Sequence, residues 1–145
     1  SLLYQYWIHT ELINKMPKWF ECVFNTPSHH RVHHGSNPLY LDRNYAGIFI
    51  VWDKLFGTFQ PELKEEKVAY GLTTNINTFN PIKIAFAEWA SIFKTVIYSK
   101  TSLLNKLKYL SKPPGWQHDN LGKLSKDIRK EWLEKNENKT ASKND

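Results

Sequence analysis

The run TPSHHRVHHG, residues 26–35, holds four of the six histidines in this chain of 145 residues. Thr26 can cap the start of a helix, Pro27 suits a first helical turn, and Gly35 suits a helix end. The run therefore predicts a helix of two turns over residues 27–34. The histidines lie inside this helix.

Helical spacing predicts which of these histidines act together. Positions i, i+3 and i+4 share one face of a helix, so His30, His33 and His34 are expected to project together and to converge on a metal ion. Imidazole suits iron, zinc or copper. His29 points in another direction and is a weaker candidate, either as a further ligand or as a group that supports one. Because Cys22 is the only cysteine, any metal must be held by nitrogen or oxygen.

The other two histidines carry weaker signals. His9 lies on a predicted apolar helix, where a buried imidazole needs a partner, so it is either a satisfied core histidine or a ligand. His118 follows two prolines and stands next to Asp119, which is typical of a loop. From spacing alone neither is assigned to a site.

The rest of the chain predicts an all-α fold with little or no strand. Pro, Asn and Ser residues mark expected helix starts and ends, and the apolar residues between them follow helical spacing. These signals predict helices over residues 2–14, 17–24, 44–57, 82–98, 102–110 and 125–135. Residues 67–74 form a strand or an extended crossing. The polar residues 136–145 are expected to have no fixed structure.

Composition favours a position at a membrane surface. Aromatic residues make up 14% of the chain, with six Trp and seven Tyr, and such residues are enriched at membrane–water boundaries. No run reaches the roughly 18 apolar residues of a clear membrane span. The sequence therefore favours a membrane-associated helical protein over one whose helices here cross the bilayer.

The net charge of +6 is concentrated towards the carboxyl terminus. From Lys100 onward the chain has eleven Lys and Arg against six Asp and Glu. Lys alternates there with Glu, Asp and Asn and not with stacking aromatic residues, so nucleic acid is not indicated as a partner. A solvated helix followed by a frayed end is the favoured interpretation, with a cytoplasmic or anionic-lipid contact as the alternative. A basic interaction module would rest on this segment alone.

Two further motifs carry a resemblance. His30-x-x-His33-His34, followed by Asn44-Tyr45 and by Trp52-Asp53-Lys54-Leu55-Phe56-Gly57-Thr58-Phe59, resembles the last histidine box and the following signature of the fatty acid hydroxylase / sterol desaturase superfamily. The residues from Asn25 to Gly35 and the ending Pro113-Pro114-Gly115-Trp116 are similar to its alkylglycerol monooxygenase-like branch, including bacterial members. The resemblance covers roughly residues 4–118.

The resemblance implies a membrane-bound oxygenase with a dinuclear non-haem iron centre that uses O2 to attack a lipid C–H bond. It implies that His30, His33, His34 and His9 are metal ligands, with His29 as a further candidate. Asp53 would contact the imidazole of a metal ligand and orient it, without binding the metal itself. The lipid could be an ether lipid, a fatty acyl chain or a sterol-like molecule, and tetrahydrobiopterin would be a cofactor if the ether-lipid resemblance is functional. The catalytic residues and the electron donor stay open.

The same resemblance divides the chain at residue 118. Residues 1–118 would be the carboxyl-terminal part of a fatty acid hydroxylase domain, and residues 119–145 a charged helix with a disordered tail. Two earlier histidine boxes of the family are missing, so we expect the chain alone to be inactive. In an integral membrane parent protein, the metal site would face the cytoplasm. The alternative is a non-catalytic metal-binding fragment with a structural zinc site.

Overall fold

A computed structural model describes residues 2–73, 75–113, 115–119 and 121–141 of the chain. Their helices, in chain order, are α1 (Leu2–Ile8), α2 (Lys18–Val23), α3 (Pro27–His33), α4 (Val51–Phe56), α5 (Pro81–Tyr98), α6 (Leu103–Ser111) and α7 (Ser125–Ala141). Across these described ranges, β pairing is limited to isolated bridges, Phe24 with Phe49 and Gly35 with Tyr70. The all-α prediction is confirmed.

The chain forms two compact units. One comprises the chain up to Thr73 together with the part from Trp132 onward, and the other spans Thr74–Glu131. The boundary predicted at residue 118 falls inside the second unit. The histidines of the run 26–35 and His9 all belong to the first unit.

The histidine helix forms as predicted, at Pro27–His33, with Pro27 in its first turn. Gly35 follows the end of the helix, as predicted, and its amide donates to the Val32 carbonyl (3.0 Å). A Cβ atom at this position would lie 3.0 Å from the Tyr40 ring, which is fully buried. Gly35 therefore allows Tyr40 to pack against the end of α3. Tyr40 joins Val32 and Leu39 in the core of this unit.

The prediction of a helix over residues 2–14 is wrong beyond Ile8, where α1 ends. The backbone carbonyls of Thr10, Ile13 and Asn14 accept hydrogen bonds from the guanidinium of Arg31. Because these carbonyls are satisfied by a side chain from α3, the segment does not need helical hydrogen bonds.

The prediction that Asn44 caps a helix is also wrong, because α4 begins at Val51. Asn44 has a φ of 53°, and its buried amide donates to the carbonyls of His29 (3.0 Å) and Gln60 (2.8 Å). Asn44 therefore ties the histidine helix to the segment after α4. The predicted end of that helix is confirmed, since Gly57 is left-handed, with a φ of 72°.

The remaining segments follow the local signals more closely. The side chains of Asn80 and Ser102 accept hydrogen bonds at the starts of α5 and α6, as their positions predict. Residues 67–73 form neither a helix nor a strand. Tyr70 makes an isolated bridge, Gly71 and Thr73 are bends, and the Ala69 carbonyl accepts a hydrogen bond of 2.7 Å from the Ser36 amide. Thr74 lies outside the described residues.

Helix α7 runs to Ala141, so the expectation of no fixed structure is wrong for residues 136–141. Glu137 and Lys139 in this stretch are good helix formers, which lets the helix continue. Residues 142–145 lie outside the described part. Within the described part of the chain, none of the helices has both the length and the apolar content needed to cross a bilayer.

Candidate metal centre

Three histidines bring their Nε2 atoms together. The Nε2 atom of His30 lies 2.8 Å from that of His9 and 3.1 Å from that of His34, and the last two are 3.2 Å apart. Two nitrogens bound to one ion at about 2.0–2.1 Å lie about 3 Å apart when their bonds are roughly perpendicular. The spacing therefore matches three ligands of a single ion. We call this group the histidine triad.

The tautomer of His9 supports a cation between these nitrogens. Its Nδ1 lies 2.6 Å from the backbone carbonyl of Gln5, which can only accept, so Nδ1 carries the proton. The Nε2 of neutral His9 is then a bare lone pair directed at His30 and His34. A backbone carbonyl behind a ligand imidazole is a common way of fixing the tautomer at metal sites.

His30 differs from His9 in the surroundings of its Nδ1 atom. It is buried, and its Nδ1 has no hydrogen-bond partner among the described residues. Burial, followed by the charges of His9, His34 and His33, lowers the pKa of His30 to about 3. Burial likewise lowers the pKa of His34, together with the charges of His33 and His9. Both imidazoles are neutral at pH 7, which is the form that binds metal.

His33 and His29 lie outside the histidine triad. The Nδ1 of His33 lies 3.2 Å from the Arg43 carbonyl and donates to it, which leaves Nε2 as a lone pair. The ring of His33 stacks at 5.4 Å on that of His30. His29 is 3% exposed and contacts Phe59 edge-on, and burial is the main reason for its lowered pKa. The structure thus joins His9 to the cluster and separates His33 from it, which spacing along one helix did not predict.

Asp53 supports the loop beside the site. Its buried carboxylate accepts hydrogen bonds from the backbone amides of Tyr45 (2.8 Å) and Ala46 (2.9 Å) and from the hydroxyl of Thr58 (2.6 Å). The two amides belong to the loop that carries Asn44 and Arg43, whose groups contact α3, whereas Thr58 follows the end of α4. Asp53 therefore acts on the histidine helix through the backbone, whereas the expected direct contact was with a ligand imidazole.

An open cavity of about 530 Å³ lies beside the histidine triad. His9, His30 and His34 form part of its wall, and Ile8, Tyr70 and Leu72 form apolar parts of the remainder. Burial and a hydrogen bond to Glu11 raise the pKa of Tyr70 to about 12, so its hydroxyl is protonated at pH 7. The site therefore combines three imidazoles that could hold a metal ion with an apolar space large enough for part of a lipid chain.

Comparisons with known proteins agree with this arrangement. The profile of the family described as fatty acid hydroxylase matches residues 1–58, which include the complete histidine triad. The chain is 53% identical over 116 residues to alkylglycerol monooxygenases from Homo sapiens and Xenopus tropicalis, covering 80% of the chain. Residues 1–58 belong to the fatty acid hydroxylase family. A similar match of 47% identity over 124 residues is found with the alkylglycerol monooxygenase of Caenorhabditis elegans.

The alkylglycerol monooxygenases that match this chain are longer proteins. The chain spans about a quarter of the length of the curated relatives it matches. No solved structure shows a significant match to it.

Proposed function

We propose that this chain contributes the last histidine box and a preceding histidine to a non-haem iron monooxygenase that acts on a lipid. The observation that carries the proposal is the convergence of the Nε2 atoms of His9, His30 and His34 beside an apolar cavity. The similarity to alkylglycerol monooxygenases supports an ether lipid with an alkyl chain as the substrate. A fatty acyl or sterol-like chain is the alternative substrate.

The donor set fits iron, which is held in many oxygenases by imidazole and keeps open positions. Bound iron would supply the activation of dioxygen and the oxidation of a C–H bond. The residues of this chain hold neutral imidazoles close together, place the apolar side chains of Ile8 and Leu72 at the cavity wall, and keep the Tyr70 hydroxyl protonated there. Hydroxylation next to an ether oxygen would give a hemiacetal, which separates into an aldehyde and an alcohol.

A dinuclear iron centre is part of the proposal. The triad serves one ion, and the bare Nε2 of His33 is available to a second ion. His29 would then support α3 from its buried position. Tetrahydrobiopterin is proposed as the source of the two electrons that reduce the second oxygen atom to water if the substrate is an ether lipid.

A structural zinc site is the second candidate. Three imidazoles also form the protein ligands of many zinc centres, and the spacing of the triad accommodates that ion as well. Zinc would hold α1 and α3 together without redox chemistry. Elemental analysis of the purified protein separates the two, since only iron agrees with an oxygenase.

Membrane association is proposed from helix α5. Ile82, Phe86, Trp89, Phe93 and Ile97 follow helical spacing, and each is at least 53% exposed. An apolar helical face of this size suits the boundary between headgroups and acyl chains. The surplus of Lys and Arg after residue 99 favours the cytoplasmic side for the chain and its metal site.

The proposed activity is tested with membranes that contain the protein as its gene encodes it. Oxygen-dependent conversion of an alkylglycerol to an aldehyde and glycerol, lost when iron is removed and restored by Fe²⁺, is the expected result. Addition of tetrahydrobiopterin should raise the rate. Conversion that is independent of iron, or restoration by Zn²⁺ but not by Fe²⁺, would exclude the proposed function.

A further inference from the structure

Arg31 makes an unusually dense set of contacts directly beside the histidine triad. Its guanidinium donates to the carbonyls of Thr10 (3.2 Å), Ile13 (2.9 Å) and Asn14 (2.6 Å). It also donates to both carboxylate oxygens of Glu62, with contacts of 2.6 Å and 3.1 Å. The side chains are only 10% and 20% exposed.

The positions of these contacts connect the two parts of the triad. Arg31 follows His30 directly in the chain, and Thr10 follows His9 directly. Arg31 thus connects its neighbour His30 with His9, the neighbour of Thr10, and these two histidines come from different segments of the chain. His9 lies just after the last residue of α1, in a segment without helical hydrogen bonds, so its position depends on such tertiary contacts.

Glu62 completes the arrangement. A guanidinium is planar and offers five N–H groups in a fixed fork, so a carboxylate on one edge orients the remaining donors. Burial alone lowers the pKa of Arg31, but the hydrogen bond and charge of Glu62 outweigh it and raise the pKa. With its charge compensated, the cation is held where it aims Nη1 and Nη2 at the carbonyls of residues 10–14.

We propose that Arg31 and Glu62 are positioning residues that fix His9 against α3 and thereby set the affinity of the histidine triad for metal. The inference rests on the proposed metal site. Neither residue touches the ion. A lysine at position 31 keeps the charge but lacks the fork, so it cannot serve Glu62 and the three carbonyls together.

The test uses the protein as its gene encodes it, with Arg31→Lys, Glu62→Gln and the double variant. Fe²⁺ affinity is measured by chelator competition, and the visible absorption of bound Co²⁺ reports the coordination. Two controls accompany them: Leu39→Ala, which removes core packing against Val32 and Tyr40 and leaves both Arg31 and Glu62 in place, and Glu131→Gln, which breaks the exposed ion pair with Lys123.

We expect Arg31→Lys and Glu62→Gln to weaken Fe²⁺ binding and to shift the Co²⁺ absorption bands. Replacing residues that support metal ligands typically lowers the affinity about tenfold to a hundredfold. The double variant should lose little more than either single variant, because the two residues act as one unit. Leu39→Ala should lower the unfolding temperature while keeping the affinity, and Glu131→Gln should change neither.

Unchanged affinity in both single variants, with a wild type that binds iron, would overturn this inference alone. The same holds if Leu39→Ala loses as much affinity as Arg31→Lys, since the effect would then follow stability. A wild type that binds no Fe²⁺ would overturn the proposed function and this inference together.

Discussion

At the scale of single residues, the buried carboxylate of Asp53 gives a direct test of how the loop beside α3 is held. It accepts two backbone amides and one hydroxyl. In Asp53→Asn, the amide NH2 would face one of these donors, which costs about 1.5–3 kcal/mol of unfolding free energy. Urea unfolding measures the change. An exposed control, Asp119→Asn, should lie within about 0.5 kcal/mol of wild type, and an equally stable Asp53→Asn would contradict this role.

Replacement of His33 gives a second test at the level of single residues. Because His33 lies outside the triad, His33→Ala should keep an ion at His9, His30 and His34 but lose any second ion. We expect iron per chain to fall to about half of the wild-type value. Elemental analysis checks this, and an unchanged content would remove His33 from the ligands.

At the scale of elements, the apolar face of α5 predicts binding to lipid. Replacing Trp89 and Phe93 by Glu puts charge into a face that would lie among acyl chains, and each charge there is costly. The double variant should bind liposomes containing anionic lipid at least about tenfold more weakly. Leu121→Glu is the matched control, since Leu121 is exposed outside this helix. Equal binding of the double variant and wild type in a flotation assay would remove α5 as the contact.

Local signals predicted some elements well and others poorly, for a physical reason. The starts of α3 and α5 depend on Pro27 and Asn80, whose effects act within one helical turn. The end of α1 and the late start of α4 depend on Arg31 and Asn44, which contact residues 15 to 21 positions away. Sequence periodicity contains no information about such contacts.

At the candidate metal site, too, local spacing predicted some positions, and contacts between distant residues decided the others. The helical run predicted that His30 and His34 lie together, since they are four residues apart on α3. It could not separate His33 from them, because that depends on the hydrogen bond to the Arg43 carbonyl. The sequence alone left His9 open between a core histidine and a ligand, and only the family resemblance favoured the ligand. Glu62 gave no signal, because its partner lies 31 residues away.

At the scale of the whole molecule, the excess of basic residues after residue 99 predicts the orientation of the chain. A cysteine introduced at Lys135 should be protected from a membrane-impermeant reagent in intact cells and should react after lysis. The native Cys22 is exposed, so it is first replaced by Ser. Rapid labelling in intact cells would place this end outside and reverse the proposed topology.

We infer that His9, His30 and His34 together hold iron, and the iron content of the purified protein tests this claim. Wild type is compared with His9→Ala, His30→Ala and His34→Ala, and with His118→Ala as a histidine outside the triad. We predict that wild type and His118→Ala contain iron in equal amounts, whereas each triad variant loses at least the ion that the three imidazoles share. Iron content that is unchanged in the three triad variants, or zinc in place of iron in the wild type, would contradict the claim.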